Sequence, residues 1–125
     1  MFSDPNNYTL IAELDTKVVG YVILFLTNKV RDRHSALLAI AIHPEYHGRG
    51  LGRMLMGEVL NQADNWLNLI RLELEVHVDN DSAIALYKAS GFQVEGTKRL
   101  STFKAGRYMD MLLMSRIHPE YLSKA

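Results

Sequence analysis

Between Ser35 and Gly91 the apolar residues change their spacing three times, and this alternation is the strongest constraint on the fold. Ser35 to Ile42 is a short apolar run of strand character, ended by Pro44. From Gly50 onward, Leu51, Met54, Leu55, Val59, Ala63 and Trp66 recur at the period of a helix. Ile70 to Val78 then alternates, with Leu72, Leu74, Val76 and Val78 on one face and Arg71, Glu73, Glu75 and His77 on the other. Asp79-Asn80-Asp81-Ser82 is a helix-start cluster. The helix it opens runs through Tyr87 and stops at Ser90-Gly91, with Gly91 just past its end. Two successive strand–helix–strand passages predict parallel neighbours joined by right-handed crossovers.

The flanks of this unit are β-rich. Tyr8 to Leu14 and Lys17 to Thr27 carry β-branched and aromatic residues, and Asp15-Thr16 between them predicts a hairpin. Asn28 to His34 is a polar loop. Phe92 to Phe103 and Arg107 to Ile117 are two further strands around a Lys104-Ala105-Gly106 turn. The expected order is β-β-β-α-β-α-β-β, a mixed α/β sheet in a single domain over residues 1–125. A chain of this length buries roughly two thirds of its unfolded surface, enough for a real core.

Charge and cysteine content remove several function classes. Lys plus Arg and Asp plus Glu are both 14, so the basic footprint of a general nucleic-acid or anionic-membrane binder is missing. Without cysteine, disulfides, thiolate metal sites and a cysteine nucleophile are excluded. MFSDPNN has neither the basic nor the apolar region of a secretory signal. The longest apolar run, Val18 to Leu26, falls far short of the ~20 residues that span a bilayer. A cytoplasmic protein is expected. His43 and His47 lie four apart, but Pro44 and the glycines disfavour the helix that a zinc pair needs, so no metal is expected.

The segment joining the third strand to the first helix, His47-Gly48-Arg49-Gly50-Leu51-Gly52, has glycine at every second position. Glycine admits positive φ and close approach of a ligand to the backbone. At a helix N-terminus the unpaired N–H groups and the helix dipole form an anion site, and Arg49 and Arg53 add positive charge. The stretch reads as a diphosphate cradle or, more plainly, as a tight turn before a helix. It lacks the Gly-Lys-Ser/Thr of a Walker loop, and G-x-G-x-x-G fails from Gly48 (Arg53 stands last) and from Gly50 (Leu55 stands last).

Residues 36–57 and 71–96 resemble the two signature blocks of the GNAT superfamily of acyl-CoA-dependent N-acetyltransferases. The first block in that family is a strand, then Gln/Arg-x-x-Gly-x-Gly/Ala, then a helix. Here His47 stands where Gln or Arg is usual. The second is matched without a gap by Asn80-x-x-Ala83-Ile84-x-Leu86-Tyr87-x-x-x-Gly91-Phe92. The resemblance implies acetyl-CoA as co-substrate. It implies a bulged strand splayed from its neighbour, with the pantetheine arm pairing with Ile40, Ala41 and Ile42. It places the diphosphate on the amides of His47 to Gly52, which include those of Gly48, Arg49, Gly50 and Leu51. It implies that Asn80 bonds the pantetheine and that Tyr87 reaches the cofactor sulfur. The plainer alternatives are a helix cap for Asn80 and a core aromatic for Tyr87.

The implied reaction is attack of a neutral amine on a thioester. A primary amine of pKa about 10.4 costs about 4–5 kcal/mol to deprotonate at pH 7, so a base is valuable. Glu75 is the expected base and His77 its substitute. The alternative is a solvated polar sheet face. Asp110 would meet a substrate ammonium or simply line a strand.

Members of the family usually open with a strand and two helices, whereas this chain starts almost at the hairpin. The resemblance thus implies a shortened member or a fragment, with exposed apolar area near the first hairpin and a homo-oligomer to cover it. Asp64-Asn65-Trp66-Leu67, Glu95-Gly96-Thr97 and Gly106-Arg107-Tyr108-Met109-Asp110 resemble bacterial members that acetylate small amines or free amino acids. A protein N-terminus or lysine as acceptor, and a non-catalytic acyl-CoA-binding module, are the alternatives.

Overall fold

The computed structural model describes residues 6–122, so most of the MFSDPNN stretch tested above for a leader lies outside them. Six strands form one sheet: β1 (Asn7–Leu14), β2 (Lys17–Phe25), β3 (Ser35–Ile42), β4 (Arg71–His77), β5 (Gln93–Lys104) and β6 (Arg107–Ile117). Helix α1 (Leu51–Asn65) joins β3 to β4, and α2 (Asp81–Ala89) follows β4. The order of strands and main helices is the expected one; a 3-10 turn at Pro44–Tyr46 and a terminal turn α3 (Pro119–Leu122) are additional to it. Among the described residues no helix is long and apolar enough to cross a membrane.

Both hairpins turn on two residues of positive φ, the backbone that matches the twist of paired strands. Asp15 and Thr16 take φ 50° and 67°, and Ala105 and Gly106 take 51° and 78°. The sheet order is β1-β2-β3-β4-β6-β5. Only β3 and β4 pair in parallel. The second crossover therefore departs from expectation: β5 does not neighbour β4. β6 folds back between them and pairs with β4 over seven positions, from Arg71↔Ile117 to His77↔Met111. Placing β6 there buries Met114 fully in the core, which an edge position would not.

The core lies between the sheet and the helix layer. α1 contributes Leu55, Met56, Val59 and Ala63, β4 contributes Leu72, Leu74 and Val76, and α2 contributes Tyr87. A Cβ built on Gly52 would stand 3.3 Å from Leu86 Cδ2, so the first turn of α1 meets the latter half of α2 closely. Arg116 donates two hydrogen bonds to Asp64, at 3.0 and 2.8 Å, and its side chain passes beneath Gly91. This partly buried ion pair ties β6 and the end of α2 to the C-terminal turn of α1.

The feature that positions the site is a parting of strands. β3 pairs with β4 only from Ser35↔Arg71 to Leu37↔Glu73, and beyond Leu37 the two diverge. The bulge expected in β3 is not there: its register with β2 runs unbroken from Phe25↔Leu37 to Gly20↔Ile42. The irregularities lie instead in β1 at Ala12/Glu13 and in β5 at Val94/Gly96 and Lys98/Thr102. Each central strand follows its longer antiparallel partner, six pairs for β3 and seven for β4, and the three-pair ladder between them gives way. The first hairpin exposes Ile11, Leu14 and Val18, in line with the apolar area expected there.

Candidate active site

The joining loop is shaped by backbone requirements. Gly48 and Gly50 take φ 77° and 81°, a region that costs other L-residues roughly 1–2 kcal/mol. A Cβ at either would meet nothing within 4 Å, so their conformation, not crowding, calls for glycine there. Gly52 serves a different end, the close contact with Leu86. Gly50 supplies no side-chain cap, and the first intrahelical bond runs from the Met54 N–H to the Gly50 carbonyl. The amides before Met54 at the start of α1 are left as donors.

The histidines brace this loop. His43 Nδ1 accepts from the Glu45 N–H at 3.2 Å, capping the 3-10 turn. The His47 Nε2–H donates to the Ile42 carbonyl at 2.8 Å, fastening the loop to the end of β3. His47, at the position where the family signature has Gln or Arg, thus has a structural task of its own. Arg49 lies with its guanidinium 4.9 Å from the Tyr46 ring centre, a cation–π contact at the loop surface. Among the described residues no group of three or more His, Cys, Asp or Glu stands together.

A cleft of about 470 Å³ opens where β3 leaves β4. It is lined by Ile40, Ala41 and Ile42 from β3, by His47, Gly48, Gly50, Leu51 and Gly52 from the loop and α1, and by Asn80 and Tyr87 from the α2 side. Sequence reasoning missed Tyr46, Ser82, Ala83 and Leu86, which also line it. The Asx-like start of α2 and its helical spacing could have flagged Ser82 and Ala83. Arg49 and Glu75 lie outside this lining.

Asn80 caps α2: its Oδ1 accepts from the Ala83 N–H and the Ser82 hydroxyl, both at 3.3 Å. Its NH₂ group has no partner among the described residues and remains available at the cleft. Tyr87 is 8% exposed and packs on Phe92 with ring centres 6.0 Å apart. It is at once a core aromatic and a wall of the cleft. Burial raises its phenol above the ordinary range, which keeps the hydroxyl protonated at neutral pH.

A polypeptide edge that lacks a strand partner, amides at an uncapped helix start and a buried phenol form one continuous surface. It fits an extended amide-bearing arm that ends in phosphates. Residues 1–92 match the model of the acetyltransferase (GNAT) family. The chain belongs to this family. GNAT members are acetyl-CoA-dependent acyltransferases, and the cleft suits that co-substrate. The chain is 36% identical over 113 residues to an L-amino acid N-acetyltransferase of Escherichia coli, covering 90% of this chain and 70% of that protein. It is 32% identical to a spermidine N(1)-acetyltransferase of Vibrio cholerae, covering 93% of this chain and 66% of that protein. A GNAT acetyltransferase from Streptococcus pneumoniae superposes with a TM-score of 0.85 at 33% identity, over 93% of this chain and 69% of that one. The chain thus spans about two thirds of the length of the relatives it matches.

Of the remaining predicted residues of this GNAT chain, Glu75 and His77 stand on the sheet face opposite α1 and α2, whereas Asp110 shares the alternation of Leu112 and Met114 on β6. Glu75 is half-exposed, and its Oε2 accepts from Lys98 Nζ at 2.8 Å. It has a cation beside it, and not only the like charges that the sequence spacing suggested. His77 lies one alternate position further, with Nδ1 buried and without a partner among the described residues. Asp110 Oδ1 accepts the Leu100 N–H at 2.8 Å, bracing the β5 irregularity where Leu100 takes φ 51°. Nearer the closed end of the gap, Arg71 donates to both Glu73 and Glu95, and Glu95 also accepts from the Ser115 hydroxyl. These bonds hold the Glu95 carboxyl down to about 2 and raise the Arg71 guanidinium further.

Proposed function

We propose that this chain transfers an acetyl group from acetyl-CoA to the primary amine of a small molecule or a free amino acid. The observation that carries the reading is the continuity of the cleft. It runs from the glycine-rich loop, along the open edge of β3, to the Tyr87 hydroxyl. The activities by which two relatives are named, those of an amino acid and a polyamine acetyltransferase, support the same acceptor range.

In this reading the amides of His47 to Gly52 hold the diphosphate, as an uncapped helix start does for anions. Ile40, Ala41 and Ile42 offer ladder groups to the pantetheine, and the Asn80 amide hydrogen-bonds it. Acetyl-CoA supplies the activated acyl group as a thioester. Glu75, or His77 in its place, takes the proton from the substrate ammonium. As the amine nitrogen bonds to the carbonyl carbon and the C–S bond breaks, Tyr87 donates its hydroxyl proton to the departing sulfur, and the second proton shed by the attacking nitrogen returns Tyr87 to its phenol. Products are the N-acetyl amine and free thiol, with one proton released from the ammonium to solvent.

Mixing the protein with acetyl-CoA and a panel of amino acids and polyamines, and following free thiol, tests this. Silence across the panel from a protein shown to bind acetyl-CoA would reject catalysis. The exposed Ile11, Leu14 and Val18 further support association of copies through the first hairpin. Light scattering that finds a monomer at high concentration counts against that association.

A further inference from the structure

We propose that Lys98 anchors the carboxylate of a zwitterionic acceptor, which makes an α-amino acid, not a polyamine, the substrate class of this site. The inference rests on the acetyl-transfer reading above and deepens it.

The parallel ladder ends at Leu37↔Glu73. Glu75 and His77 are the next β4 residues on the same face. They edge the opening gap across from Ala39 and Ala41, on the side away from Tyr87. An amine reaching the gap from this face meets Glu75 first. Lys98 arrives from β5 across the intervening strand, in the row His77–Met111–Lys98. Its Nζ stands 2.8 Å from Glu75 Oε2.

The two side chains are 52% and 38% exposed. A pair this open contributes little to stability and is cheaply rearranged. It presents one positive and one negative group side by side over β4 and β6, next to the gap. An α-amino acid carries an ammonium and a carboxylate on one carbon, the complementary arrangement. Entering between them, it would give its ammonium to Glu75 and its carboxylate to Lys98, so that both charges stay paired.

The surrounding face argues against a second ammonium. Glu73 and Glu95 are both held by Arg71, and Glu95 also by Ser115. On the β4–β6–β5 part of this face, no described carboxylate is left without a cation. The far ammonium of a polyamine would meet Lys98 itself. Sequence alone does not reveal this pair, because Lys98 and Glu75 come together only when β6 separates β4 from β5.

The test measures kcat and KM for the best acceptor among the twenty L-amino acids, for its carboxamide, and for spermidine. Wild-type protein is compared with Lys98→Met and Lys98→Arg. The expected result is that wild type prefers the free acid by about 10- to 100-fold in kcat/KM. It does so although the carboxamide's less basic amine is more often neutral. Lys98→Met raises KM for the acid by a similar factor more than KM for the carboxamide, so that the preference is lost, and Lys98→Arg restores it. Equal use of acid and carboxamide by wild type overturns the inference, as does an equal loss for both in Lys98→Met. Turnover of amines without turnover of any amino acid overturns it while leaving acetyl transfer standing. No turnover of any acceptor, with acetyl-CoA bound, removes both.

Discussion

At the scale of single residues, chemistry and backbone geometry fall to different side chains. Tyr87 combines burial with a hydroxyl at the cleft, and its raised phenol keeps the proton that a departing thiolate needs. Tyr87→Phe is expected to lower kcat by about 100-fold or more with little change in KM for acetyl-CoA, as steady-state kinetics would report. Because the shift is upward, the phenol stays protonated throughout the range where the acceptor amine loses its proton. The wild-type rate should therefore rise with pH and show no descending limb from Tyr87 below about pH 10. Gly50, by contrast, contributes backbone alone, held at φ 81°. Gly50→Ala is expected to cost about 1–2 kcal/mol in the loop and to weaken acetyl-CoA binding in calorimetry, with kcat at saturation less affected. The glycine pattern and the Asn80–Tyr87 spacing were legible in the chain. What Glu75 faces was not, since its partner lies 23 positions away in sequence.

At the scale of elements, the cleft depends on where α1 and α2 start, and that depends on how their far ends are held. Asp64 near the end of α1 and Arg116 on β6 form a bidentate pair with side chains 18% and 11% exposed. Asp64→Asn leaves the guanidinium half-answered in a poorly solvated place. A loss of about 3 kcal/mol in urea denaturation is expected, with a raised KM for acetyl-CoA if the helices shift. Strand and helix types followed from hydrophobic period alone, and the hairpin turns from their short polar linkers. The insertion of β6 between β4 and β5 did not, because a crossover fixes the hand of a connection and not how many strands it passes. The missing β3 bulge makes the same point: the gap arises from competition between ladders, which no single strand's sequence encodes.

Across the whole molecule, one face of the sheet is a dry core and the other carries a charge network, and acid should act on the second. The Glu95 carboxyl is held at about 2, below the ordinary value near 4.5, by Arg71 and Ser115. A depressed carboxyl contributes its stability above its unfolded value and loses it as pH falls through the folded one. The network's contribution should therefore fade between about pH 4.5 and 2. Glu95→Gln should flatten the fall of the urea midpoint across that window, and an unchanged profile would remove the network from the account of acid unfolding. Local information in the sequence determined the element types, the glycine loop, the helix cap at Asn80 and the inward face of β4, because each rests on near neighbours and periodicity. Tertiary structure decided the strand order, the parting of β3 from β4 and the meeting of Glu75 with Lys98. Those outcomes depend on which ladders win when distant segments compete for the same edge.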